Sequence, residues 1–149
     1  MILISHRGNI NGAIPDRENS PAYIDEALNA NYFVEIDVWY DKGWWLGHDK
    51  PQYKMPKAFF GSESCHFYFH AKNSDALERL CRVPGSLHTF WHQEDDYTLT
   101  SWGLIWVYPG KTLLKGSICV LPEWGFTGNI KECYGVCSDN IANVEEELL

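Results

Sequence analysis

The sequence predicts an α/β domain, and three observations predict it. Short β-branched and apolar runs alternate with helix-like segments through the first half, which favours parallel strands joined by right-handed crossovers. Titratable residues recur where those runs end, the rim on which the sites of α/β folds lie. The chain has 149 residues, 45% hydrophobic and 15% aromatic, enough for one core and so for one domain, 1–149.

Each element follows from local chemistry. Met1 to Ser5 reads as a buried strand ending at His6-Arg7-Gly8, and the Gly-, Pro- and Asn-rich segment 9–19 reads as a loop. Asn19 or Ser20 can cap a helix over 21–30, with Pro21 near its first position. Val34 to Tyr40 is the second strand. Asp41-Lys42-Gly43 is turn chemistry, and 44–49 reads as a short extended return. Residues 50–64 show no clear period. Residues 65–70 form the third strand, and Asn73 or Ser74 caps a helix over 75–82 that stops before Pro84-Gly85. Four more strand-like runs follow at 86–93, 103–110, 116–123 and 134–141, with connections too short for full helices. The end, 144–149, reads as a last helical turn or two with a solvated acidic face. About seven strands are expected.

Composition excludes several functions. The net charge of −8 and the lack of a Lys/Arg cluster argue against nucleic-acid duplex binding. No run of apolar residues is long enough for a transmembrane segment, and the start is too short in its apolar run for a signal peptide, so a soluble, cytoplasmic protein is expected. Cys65, Cys81, Cys119, Cys133 and Cys137 lack CxxC spacing and read as reduced, mostly buried thiols. Cys133 and Cys137 could pair in an oxidising setting, but nothing requires it.

The second strand holds an anomaly. Glu35 and Asp37 are two apart and point to the same face of an otherwise apolar strand. Buried charge needs a partner, so the pair is either ion-paired to Arg7 and Lys72 or set around a cation or a reacting group. The other strand ends carry His6-Arg7, His70 and Lys72, His92 to Asp95, Tyr108, Glu123 and Asp139.

His6-Arg7-Gly8, Glu18-Asn19 before a helix, Glu35-x-Asp37 and His48-Asp49, in that order, closely resemble the glycerophosphodiester phosphodiesterase family of the phospholipase-C-like phosphodiesterases. The resemblance is strong over 4–49, fair over 67–73 and weak beyond, although Gly135 to Asp139 is similar to that family's final strand. It implies a TIM-like barrel and a phosphodiester hydrolase acting on a glycerophosphodiester or related small molecule. It also implies His6 and His48 as acid and base, Arg7 on phosphate, and Glu35 and Asp37 on a divalent metal, Mg²⁺ or Ca²⁺. The chemistry wants the same set, because oxygen ligands suit a hard cation and imidazoles move protons near neutral pH.

The sequence departs from that pattern twice. His70, two residues before Lys72, stands where a third acidic ligand is usual. The metal's third ligand is then His70 or Glu123, or the metal is held weakly or is absent. Lys72, His70 and His92 are read as substrate- or phosphate-binding, and Glu123 is placed with the metal. The length also falls short of the roughly 250 residues of a full barrel. The expected architecture is therefore a compact or incomplete TIM-like (β/α) barrel of mostly parallel strands with few outer helices, its exposed flank covered by its own aromatics or by homo-oligomer formation. The alternatives are a metal-independent phospholipase-C-like enzyme and a non-catalytic phosphate- or sugar-binding module that stacks ligand on tryptophans such as Trp44 and Trp45.

Overall fold

The computed structural model describes residues 1–83 and 87–148. The expected helix stop at Pro84-Gly85, the first residue of the 86–93 run and the last of 144–149 lie outside them. In chain order the elements are β1 (Ile2–His6), α1 (Pro21–Asn29), β2 (Phe33–Tyr40), β3 (Trp44–Leu46), β4 (Tyr53–Lys54), β5 (Phe67–Ala71), α2 (Ser74–Leu80), β6 (His88–Trp91), β7 (Tyr97–Leu99), β8 (Ile105–Val107), β9 (Ile118–Val120), β10 (Gly135–Ser138) and α3 (Ile141–Leu148).

The class is α/β, and each of the seven expected runs contains a strand. Among the described residues, however, the sheet has ten strands and is mixed rather than mostly parallel. A parallel run passes from β6 through β5, β2, β1, β10 and β9 to β8. Antiparallel additions flank it: β3 and β4 fold back on the end of β2, and β7 folds back on β8. The antiparallel pairs are joined by the tight connections 41–43, 47–52 and 100–104, whereas the longer loops 108–117 and 121–134 carry the chain back to the start of a parallel neighbour without an α-helix.

The sheet curls into a half-barrel. Phe90 of β6 lies 4.5 Å ring to ring from Trp106 of β8, although these strands belong to opposite ends of the sheet. Inside the curl, Ile4, Tyr68, Phe90, Trp106, Ile118 and Cys137 form one cluster. No ladder joins β6 to β7 among the described residues. Ser101 spans that seam instead: its N–H donates to Thr89 O at 2.8 Å, its Oγ accepts from Thr89 N at 2.9 Å, and its Oγ–H donates to Leu87 O at 2.7 Å.

Strand alternation divides the core. On β2 and β5, Val34, Ile36, Val38, Phe67 and Phe69 face outward and are covered by Ile24 and Ala27 of α1 and Ala76 and Leu80 of α2. On the far side, Cys119 and Val136 meet Ile141 and Val144 of α3. The helices begin where their caps say. Ser20 Oγ accepts from Tyr23 N with Pro21 at the first position, and Asn73 Oδ1 accepts from Ala76 N. Helix α3 starts three residues before the expected 144, because Ile141 is apolar and packs against Val136 and Cys119 in the middle of the sheet. Cys119, Cys133 and Cys137 are buried, Cys65 and Cys81 are exposed, and all five are free thiols. No helix among the described residues is long and apolar enough to cross a membrane.

Candidate functional site

Parallel pairing brings the site together. The register sets His6 beside Glu35 and Asp37 beside His70. Because Val34, Ile36 and Val38 take the outer face, Glu35 and Asp37 must face the interior, where they are 1% and 0% exposed.

After His6 the chain turns sharply, with Arg7 at φ 56°. That left-handed conformation is costly for a side-chain-bearing residue and is held here by two backbone hydrogen bonds. Arg7 N donates to Glu35 O at 3.0 Å, and Arg7 O accepts from Asn19 N at 3.0 Å. The turn aims the guanidinium back at the carboxylates, with Nε 2.9 Å from Asp37 Oδ2 and an Nη 3.1 Å from Glu18 Oε2. Buried Asn19 fixes Asp37 from the other side: Nδ2 donates to Oδ2 at 2.9 Å, and Oδ1 accepts from Asp37 N at 2.9 Å. Burial alone would raise the Asp37 carboxyl, but His70, Arg7 and Lys72 outweigh it and hold the group well below the usual range.

His70 supplies the third side of the group. Its Nε2 lies 3.0 Å from His92 O, and a carbonyl can only accept, so Nε2 carries a hydrogen. Nδ1 is thereby turned to Glu35 Oε1 at 3.3 Å and Asp37 Oδ1 at 3.1 Å. A bare lone pair there would face two carboxylates, so the position calls for a proton or a cation. Burial opposes the proton, but Asp37 and Glu35 overcome it and raise His70 to about 9.

One ligand atom each from Glu35, Asp37 and His70 lies within 4.8 Å of the others, a group able to hold a metal ion. Glu35 Oε2 and Asp37 Oδ1 are buried with no aligned hydrogen-bond donor, as metal-facing oxygens would be. The donor set and the orphaned oxygens both fit a divalent cation, and the His92 carbonyl supplies the outer hydrogen bond that metal-bound imidazoles use to fix their orientation. Glu123, expected with the metal, does not join this group. Its carboxylate accepts from Ser138 Oγ at 3.0 Å and from Asp139 N at 2.8 Å, at the end of β10. His70, expected on substrate, takes the third place instead.

His6 completes the rim. Its Nδ1 is 2.7 Å from Asp139 Oδ1, which also accepts from Asn9 Nδ2 at 2.8 Å, and its Nε2 lies 3.8 Å from Glu35 Oε2. Burial would raise Asp139, but His6 and then Asn9 pull it below its ordinary value. Lys72 Nζ is 3.4 Å from Asp37 Oδ1, so the expected ion pairs from Arg7 and Lys72 are both present beside the candidate metal group. His48 sits on a more exposed lip, its Nδ1 2.7 Å from Asp49 Oδ1. Gly47 places it there at φ 148°, where a Cβ would overlap the Lys50 carbonyl oxygen.

His6, Arg7, His48, His70 and Lys72 line a single cleft of about 580 Å³, and His92 lines its far half. Asp139 and Glu18 carried no expected role, Asn19 was expected only as one of two candidate helix caps, of which Ser20 is the cap observed, and Asn9 escaped notice. The signals available were the position of Asp139 at the end of the last strand and the buried polar positions of Asn9 and Asn19 in a tight loop. No protein-family model, curated protein or solved structure matches the chain.

Proposed function

We propose that the chain is a phosphodiester hydrolase, a pared-down relative of the glycerophosphodiester phosphodiesterase barrel, in which Glu35, Asp37 and His70 hold a divalent cation. The observation that supports this reading most is the convergence of that buried group with Arg7, Lys72 and two carboxylate-paired histidines in one cleft. When bound, the cation supplies charge neutralisation at a phosphoryl oxygen. His70 replaces the family's acid, so Mn²⁺ and Zn²⁺ join Mg²⁺ and Ca²⁺ as candidates, because imidazole suits the softer ions.

The chain's own residues supply the proton transfers. With Asp139 holding Nδ1–H, His6 is fixed in the tautomer whose Nε2 lone pair faces the cleft. Nε2 takes the proton of the attacking hydroxyl, whether water or a neighbouring substrate hydroxyl, as the new P–O bond forms. As the old P–O bond breaks, the leaving oxygen takes a proton from His48 Nε2, whose partner nitrogen is held by Asp49. Lys72 and the Nη atoms of Arg7 draw the phosphate to the rim, and Glu18 and Asp37 keep the guanidinium aligned.

A second reading has its own support. His70 raised to about 9 and Lys72 at 3.4 Å from Asp37 could carry the electrostatic part without metal. Turnover of bis(p-nitrophenyl) phosphate and of glycerophosphocholine, with each of the four cations and after exhaustive chelation, tests both. Activity restored by a cation and lost in His6→Ala is expected. Activity indifferent to chelation would favour the metal-free reading, and none above His6→Ala under any condition would reject the enzyme.

A further inference from the structure

One wall of the cleft is apolar. Strand β9 and the loops after β1, β8 and β9 bring Ala13, Pro15, Pro109, Val120, Leu121 and Trp124 to it. The carboxylates that line the cleft are already engaged: Glu18 by Arg7 and Asn9, Glu35 by His70, and Asp139 by His6 and Asn9. None is left free for a cationic head group. His92, expected on substrate, has both ring nitrogens shielded and offers the cleft no hydrogen bond from its ring. The volume of about 580 Å³ lies in the range of sites that enclose ligands much larger than a phosphate and a short ester.

On this wall Trp124 is anomalous. It is 65% exposed, yet the turn that carries it is strained and tightly held. Leu121 takes the left-handed conformation at φ 45°, unfavourable for a side-chain-bearing residue. Leu121 N donates to Cys137 O at 2.7 Å, Trp124 N donates to Leu121 O at 2.9 Å, and the Glu123 carboxylate between them accepts from Ser138 Oγ and Asp139 N. Glu123 thus anchors the Trp124 turn to the end of β10. Gly110 N donates to Gly125 O at 2.8 Å, which ties the same turn to the one carrying Tyr108 and Pro109. Single exposed apolar side chains are ordinary on a protein surface, but this one lines the cleft. Ile14, between Ala13 and Pro15, and Phe126, two residues past Trp124, extend the apolar surface outward from it. A large apolar face held on a fixed turn can take a partner with little ordering of its own.

We propose that this wall is a subsite for an alkyl chain of the substrate, a run of several methylenes that passes from the phosphate along Leu121 to Trp124. The subsite rests on the phosphodiesterase reading, which it deepens by naming the class of ester: a single-chain amphiphilic phosphodiester. Trp124 is then a specificity residue for the chain.

Three p-nitrophenyl phosphodiesters with the same leaving group, carrying ethyl, butyl or octyl as the other ester and each kept below its aggregation concentration, test it. From ethyl to octyl kcat/KM is expected to rise by about tenfold or more, the worth of two buried methylenes, with most of the gain in KM. Trp124→Ala should lower the octyl-to-ethyl ratio by about threefold or more. Trp102, also exposed but stacked on His88 at the opposite end of the strands, is the control, and Trp102→Ala should leave the ratio as it is. Equal turnover of ethyl and octyl esters, a ratio unchanged in Trp124→Ala, or a ratio lowered as much by Trp102→Ala would overturn the subsite. Failure of the parent reading shows separately, as no turnover of any diester. In that event octyl phosphate and ethyl phosphate are titrated onto the protein and followed by NMR of the indole N–H signals. A Trp124 shift with octyl phosphate alone would support the subsite, and none would overturn it.

Discussion

At Asp37 a carboxylate with no access to solvent receives Asn19 Nδ2 and faces Arg7, His70 and Lys72 within 3.4 Å. Removing its charge would leave Lys72 without its counter-ion and Arg7 and His70 with one carboxylate each, Glu18 and Glu35. Asp37→Asn should therefore cost about 3–5 kcal/mol in urea unfolding, the penalty for breaking a buried charge cluster on one side. It should also abolish calorimetrically detected binding of Mn²⁺ or Mg²⁺. Asp139 is different, because it touches His6 and the rim rather than the core. Asp139→Asn should keep the fold, but its amide can donate to Nδ1 and so favours the wrong tautomer of His6. The expected result is a fall of about a hundredfold or more in kcat with little change in KM, measured on the aryl diester. An unchanged kcat would remove Asp139 from the positioning of His6.

The elements show what could be read from sequence and what could not. The apolar runs of β1, β2, β5, β6, β8, β9 and β10 were legible because inner strands need apolar residues on both faces of the sheet. Strands β4 and β7 were not: Tyr53-Lys54 and Tyr97-Thr98-Leu99 are short, half-exposed edge pieces whose extended form comes from pairing rather than from their own pattern. Glu35, Asp37, His6 and His48 were legible from order and spacing. The role of Asp139 was not, because it depends on β10 lying beside β1, a pairing between residues 133 positions apart. Glu123 was misplaced for the same reason: sequence puts an acid at a strand end but cannot say that Ser138 and Asp139 N reach it first. The seam between β6 and β7 was also invisible, since side-chain hydrogen bonds from Ser101 and from Thr98, whose Oγ1 donates to Trp91 O at 2.8 Å, replace a ladder. Ser101→Ala would leave Thr89 N and Leu87 O without their partner, and should lower unfolding stability by about 1–3 kcal/mol. Faster amide exchange at 88–91, seen by hydrogen-exchange mass spectrometry, would locate the loss at the seam. Exchange unchanged there would mean that the curl is held by Phe90 on Trp106, by Thr98 on Trp91 O and by the Ser101 backbone, without the serine hydroxyl.

On the scale of the whole molecule, the half-barrel replaces missing outer helices with tight interior packing, and its buried thiols report on that packing. Burial pushes the Cys119 thiol up to about 12, raises Cys133, and holds Cys137 well above its ordinary value. Each is an acid whose neutral form is favoured by folding. Below pH 9 both states hold the proton and the thiols contribute no pH dependence. Above pH 9 the unfolded chain releases protons that the folded chain keeps, so stability falls as pH rises. The slope is about 1.4 kcal/mol per pH unit for each thiol, and for Cys119 it continues until the folded group ionises near 12. Tyr32, raised to about 12 by burial and then by Glu145, adds the same sign only above pH 10. His70, raised to about 9, also loses its contribution with the same sign as pH rises through that value, so the cysteine share is read from the difference between Cys119→Ala and the parent. Urea midpoints should drop steadily from about pH 9 to 10, and Cys119→Ala should flatten the slope by about one thiol's share even if its midpoint is lower throughout. A slope that stays the same in Cys119→Ala would mean that the Cys119 thiol reaches water in the native state, and that the curl between β8, β9 and β10 is looser than the packing of Val107, Val136 and Ile141 around it requires.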